Sequence, residues 1–150
     1  MIKKILIIFI LPFLVQGCGY STLYSNNNDK DFNINILGTK GDQEINNYIL
    51  FNLKKYIGKE GKTYSINIDT NYTISEISKN LEGSIDSYQL VAITQFKIEN
   101  VNLRKTISVK EEIKINNLSD SFEKKNYEKS IKKNFSNSIT NRLILQLSTL

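Results

Sequence analysis

The hydrophobic positions of this chain follow two different periods. Residues 32–37 (FNINIL) alternate apolar and polar, with Phe32, Ile34 and Ile36 on one face, which predicts a short strand. Gly38-Thr39-Lys40-Gly41 reads as a turn. Asp42 stands where a carboxylate can accept the free amides of a new helix. Ile45, Ile49, Leu53, Tyr56 and Ile57 then recur at helical spacing, and Gly58 is placed to end that helix. Phe51 lies opposite the stripe and reads as an exposed aromatic. Over residues 63–78, Tyr64, Ile66, Ile68, Thr70, Tyr72 and Ile74 keep period two, the pattern of a long strand. Ile77 breaks phase, so a bulge or strand end is expected near Glu76.

Residues 80–87 read as a loop pivoting on Gly83, and residues 88–100 as a strand with Tyr88, Leu90, Ala92, Thr94, Phe96 and Ile98 on one face. Val91 and Ile93 make its middle apolar on both sides. A hairpin at residues 100–102 leads to a strand over residues 103–115. Leu103, Ile107, Val109, Ile113 and Ile115 point inward there, and Arg104, Thr106, Ser108, Lys110, Glu112 and Lys114 outward. Lys105 and Glu111 take inward positions, where each must pair or lie at a margin. Asp120 and Glu123 resemble a capping box before a final helix from about residue 121. Its apolar residues Tyr127, Ile131, Phe135, Ile139 and Leu143 are four apart, so the stripe drifts by about 40° per step. Arg142 falls near the stripe and must reach water or a partner. Lys124, Lys125, Lys129, Lys132 and Lys133 read as the wet side of that helix, with contact to anionic lipid as the alternative. The order β-α-β-β-β-α predicts an α+β domain, two helices packed on one face of a mostly antiparallel four-stranded sheet.

Composition narrows the chemistry. The chain has 150 residues, 20 Lys and Arg against 15 Asp and Glu, no His, no Trp and one Cys. A net charge of +5, lower once Lys3 and Lys4 are set aside, is too small to suggest nucleic-acid binding. The missing His removes imidazole acid–base chemistry and His-based triads, and the single Cys removes internal disulfides and Cys/His zinc sites. Glu111 and Glu112 adjoin, but neighbours on a strand face opposite ways and cannot form a catalytic pair. An enzyme is therefore not expected, and neither a cofactor nor a metal is called for.

The first 18 residues carry the strongest signal. Lys3 and Lys4 precede an apolar run over residues 5–15. As a helix it reaches roughly 16 Å, about half the ~30 Å of a bilayer core, and suits the apolar region of a signal peptide. Val15-Gln16-Gly17-Cys18 resembles the lipobox of bacterial lipoproteins. That resemblance implies cleavage between Gly17 and Cys18 and acylation of Cys18. The simpler reading is an ordinary signal peptide or signal anchor with Cys18 incidental. One acyl chain anchors only marginally, whereas a multiply acylated Cys holds firmly. Gly19 is compatible, by analogy, with export to the outer membrane. The expected organisation is a removed segment 1–17, a polar lipidated tether 18–31 and one folded domain 32–150.

Cys18-Gly19-Tyr20 with Leu23-Tyr24, followed by this element order, resembles the lipopolysaccharide-assembly lipoprotein family LptE. The resemblance implies a non-enzymatic protein of the outer membrane's periplasmic side. Such a protein plugs the β-barrel translocon LptD, assists its assembly and contacts lipopolysaccharide. A polar, alternating barrel lumen would suit a sheet face rich in Thr, Ser and Asn. Arg104 and Lys105, a basic pair beside a hairpin tip, are candidate lipopolysaccharide contacts on their own chemistry rather than on a family motif. The alternative function is an anchored periplasmic carrier for a lipid or other hydrophobic ligand. A carrier requires a sizeable apolar cavity between sheet and helices, whereas a plug should be close-packed there.

Overall fold

The computed structural model describes residues 32–150. They form β1 (Phe32–Gly41), α1 (Gln43–Leu53), a 3-10 turn (Lys54–Tyr56), β2 (Lys62–Lys79), β3 (Ile85–Asn100), β4 (Leu103–Asn116) and α2 (Ser121–Leu147). The strands lie in chain order, β1-β2-β3-β4. β1 runs parallel to β2, and the β2–β3 and β3–β4 pairs are antiparallel hairpins. A parallel pair needs a crossover, which α1 supplies. This is the α+β arrangement that the periodicity predicts. The predicted cleavage site at Gly17 and Cys18 and the tether lie outside the described residues.

The core is one layer between sheet and helices. β2 and β3 contribute Tyr64, Ile66, Ile68, Leu90, Phe96 and Ile98, and the helices contribute Ile45, Ile49, Leu53, Ile139 and Leu143, all essentially inaccessible to solvent. Each such side chain contributes about 1.5–3 kcal/mol on burial. A short polar chain crosses this layer. The Thr70 hydroxyl donates to Asn46 Oδ1 at 2.7 Å and lies 3.0 Å from the Thr94 hydroxyl, while Asn46 Nδ2 donates to the Lys40 carbonyl at 2.7 Å. Buried polar groups are stable only when paired in this way, so the chain fixes where α1 sits on β2 and β3.

Several local expectations change. The Gly38–Gly41 segment is strand, not turn. A register shift between Ile36 and Gly38 is absorbed at Leu37, after which β1 continues beside β2 as far as the Gly41–Thr70 pair. The reversal is compressed into Gly41, whose φ of +84° suits glycine, and into the Asp42 amide, which donates to the Thr70 carbonyl at 2.9 Å. The first helix tightens after Leu53 into the 3-10 turn. That rotation stacks Tyr56 on Phe32, with ring centroids 5.3 Å apart, and leaves Ile57 exposed. The irregularity expected near Glu76 falls between Glu76 and Ser78. The following loop is shorter than expected, because Ser78–Ser87 and Lys79–Ile85 are already paired. Asn80 closes it by accepting from the Glu82 and Ser84 amides.

The exposure of Ile74, Ile113 and Tyr127 is a further correction, since all three belong to predicted inward stripes. α1 starts beside Thr70, so the part of β2 that carries Ile74 runs beyond it, and Leu90 is buried in the row where its register neighbours Ile74 and Ile113 are not.

Candidate functional site

The face of the sheet opposite the helices is open and predominantly polar. Strand register arranges its side chains into transverse rows. Asn67, Lys97 and Thr106 form one row, Asp69, Gln95 and Ser108 the next, and Asn71, Ile93 and Lys110 a third. Val91 and Ile93 are its half-buried apolar members in the middle of β3. Gly38 leaves a notch beside Asn67, where a methyl group would sit 3.4 Å from Asn67 Oδ1. A depression of about 300 Å³ opens there, lined by Gly38, Thr39, Lys40, Asn67, Asp69 and Lys97 among others. Such a face offers donors and acceptors in a regular grid and little apolar area.

The two basic candidates of β4 are exposed but not brought together. Arg104 pairs in register with Glu99, and its Nε lies 3.9 Å from that carboxylate, a loose contact between exposed groups. Lys105 pairs in register with buried Ile98 and projects from the helix side at the margin of the sheet. A single phosphate facing one side of β4 meets one of them, not both. Glu111, the other charge at an inward position, is matched: it forms an ion pair with Arg142 at 3.2 Å and accepts from the Ser138 hydroxyl at 2.8 Å.

A second polar cluster corrects the reading of the α2 lysines. Lys132 is not on the wet side; its side chain is 12% exposed. Its ammonium lies 2.9 Å from Asp42, 3.4 Å from Glu44 and 3.7 Å from Glu128, above the Tyr72 ring at 4.5 Å. Burial opposes the lysine charge, but the Asp42, Glu128 and Glu44 carboxylates outweigh it and raise the Lys132 pKa. Burial first, then Glu128, Asp42 and Glu44, push the Tyr72 phenol well above its usual range. Its hydroxyl is buried without a hydrogen bond of ordinary geometry. The Glu128–Lys132 spacing is visible in the sequence, but Asp42 and Glu44 come from the other helix, which no local pattern reveals.

Nothing among the described residues forms a group of three or more Asp, Glu, His or Cys side chains able to hold a metal ion. A groove of about 530 Å³ runs between the helices, lined by Phe51, Asn52, Tyr56, Asn137, Thr140 and Ile144 among others. Its lining comes from α1, the 3-10 turn and α2 and contains no sheet residue.

No protein-family model matches the chain, and no curated protein matches it in sequence. Solved structures do match in fold. The crystal structure of the rare lipoprotein B from Shewanella oneidensis superposes with a TM-score of 0.58 at 12% identity, covering 77% of this chain and 98% of that one. The solution structure of a lipoprotein B from Nitrosomonas europaea gives 0.54 at 12% identity, covering 74% and 81%. The domain thus has the fold of these lipoprotein B structures.

Proposed function

We propose that this chain is an LptE-type lipoprotein, acylated at Cys18, held on the periplasmic side of the outer membrane. There it binds and plugs an LptD-type β-barrel, assisting its assembly and the delivery of lipopolysaccharide to the outer leaflet. The observation that carries the reading is the open face of the sheet, a grid of Asn, Asp, Gln, Thr, Ser and Lys with few apolar members. A barrel lumen is polar and lined by alternating side chains, so such a grid can exchange hydrogen bonds with it across a broad surface. The shared lipoprotein B fold and the lipobox-like Gly17-Cys18 support the same reading.

The packing also favours a plug over a carrier. Ile45, Ile49, Leu53, Ile139 and Leu143 meet the sheet with no measurable exposure, which leaves a hydrophobic ligand no room at those positions. Affinity purification of the native protein from detergent-solubilised outer membrane tests the proposal. A large outer-membrane β-barrel should be recovered with it in comparable amount; recovery of the chain without a barrel overturns the reading.

A further inference from the structure

Charge is divided unequally between the two ends of the sheet. At the end where β1 begins, the start of β2, the turn after α1, the β3–β4 hairpin and the close of α2 are laced together. Asn33 Oδ1 accepts from the Gly58 amide at 2.8 Å, Asn100 Nδ2 donates to the Thr63 carbonyl at 2.6 Å, and Lys62 Nζ donates to the Leu150 carbonyl at 3.2 Å. Lys54, Lys55, Lys59 and Lys62 are exposed on the first of these segments, and Lys97, Arg104 and Lys105 on the hairpin strands. Glu60 and Glu99 are the carboxylate side chains among the described residues at this end. Among the described side chains at this end, seven cations against two carboxylates leave an excess of five positive charges. At the other end, residues 72–90 and 110–133 with Asp42 and Glu44 carry eight cations against ten carboxylates, an excess of two negative charges.

The cations at the first end are held by rings more than by acids. Lys55 and Lys59 flank the Tyr56 ring at 5.0 and 6.0 Å, Lys62 lies 5.2 Å over Tyr64 and Lys54 5.7 Å over Phe51. A ring face positions an ammonium without neutralising it. Ile57 and Val101 stand exposed among these charges, Val101 almost fully. Phe32 opens β1 at the same end, fourteen residues after Cys18. An extended chain of that length spans at most ~50 Å, so a lipid on Cys18 would keep this end within reach of the bilayer.

We propose that this basic end is a docking surface for the anionic headgroups of a phospholipid bilayer, with Ile57 and Val101 entering the interface between them. Each lysine or arginine near such a surface adds attraction that salt screens. The proposal draws on the anchoring role read for Cys18 and is independent of barrel binding.

The test uses the chain from residue 18 with Cys18→Ser, which cannot be acylated. Its binding is measured to vesicles of equal parts phosphatidylglycerol and phosphatidylcholine, to phosphatidylcholine alone, and to phosphatidylcholine carrying lipopolysaccharide at matched charge. Binding to the phosphatidylglycerol vesicles, lost in high salt and absent on phosphatidylcholine, is expected. The triple variant Lys59→Glu, Arg104→Glu, Lys105→Glu should lose at least tenfold in affinity. The triple Lys125→Glu, Lys129→Glu, Lys133→Glu makes the same change in net charge at the other end and should lose less than threefold. Thermal unfolding of both variants verifies that each is folded. No binding to phosphatidylglycerol, equal losses in the two triples, or clear preference for lipopolysaccharide at matched charge overturns the proposal. A negative vesicle result leaves the co-purification of a barrel unaffected, so the two readings fail separately.

Discussion

Lys132 of α2 and Asp42 at the start of α1, ninety residues apart in sequence, are joined by an ion pair of 2.9 Å. The Asp42 carboxylate divides its work. Oδ1 accepts from the Ile45 amide at 2.9 Å and caps α1, while Oδ2 takes the lysine. One residue thus starts a helix and ties it to its neighbour. Asp42→Ala should lower stability by about 2 kcal/mol, roughly half from the cap and the rest from a cation left with poorer partners. Asp42→Asn keeps a capping oxygen and should lose less. Denaturant unfolding of both variants measures the difference.

The same cluster predicts a response to alkali. Lys132 and Tyr72 both bind their protons more tightly in the folded protein than at their ordinary values of 10.5 and 10.0. Above those values the folded state holds more protons than the unfolded one, so stability falls as pH rises. The contribution is fully present below about pH 10 and lost progressively above it. Tyr72→Phe should flatten this alkaline decline. At neutral pH it should change stability by less than about 1 kcal/mol, because the hydroxyl lacks a good partner. Unfolding followed from pH 7 to pH 12 with both proteins checks the sign.

Gly41 is predicted to be intolerant of any side chain. It holds φ +84°, and a Cβ there would run into the Thr70 carbonyl of the neighbouring strand. Gly41→Ala should cost more than about 2 kcal/mol or prevent folding. Gly83 has nearly the same φ but open space around it, so Gly83→Ala should cost only about 1 kcal/mol. Comparing the two midpoints separates steric collision from backbone preference.

The element order and the inward rows of β2 and β3 were legible because alternation is a local signal. Tyr64, Ile66, Ile68, Leu90 and Phe96 all lie where period two puts them. What was hidden depends on distant partners. Gly38–Gly41 looks like a turn until β2 pairs with it, and Lys132 looks solvated until Asp42 arrives from the other helix. Ile74 and Ile113 follow the inward pattern yet are exposed, while Leu90 between them in register is buried, so the cover of that row is incomplete at its two sides. Periodicity reports which face a residue takes; it does not report how far the covering layer extends. Of the two basic candidates, both the hairpin position and the placement on opposite sides of β4 were legible, because alternation puts Arg104 outward and Lys105 inward.

The internal polar chain gives a further prediction. Asn46→Ala removes the partner of both Thr70 Oγ1 and the Lys40 carbonyl. Leaving buried polar groups unmade should cost about 2–3 kcal/mol. Replacing Thr70 by Val in the same background should not recover that loss, because it also takes from the buried Thr94 hydroxyl its partner at 3.0 Å. A double-mutant cycle in denaturant measures the coupling.

The central claim is that the polar sheet face works against the inside of a barrel. Photo-crosslinking in living cells tests it most directly, with a photoreactive residue at Gln95 or Ser108, neighbours in register on that face. The account predicts one dominant adduct containing an LptD-type outer-membrane barrel. Adducts with other proteins, or none after illumination of a chain present at normal level, would contradict it.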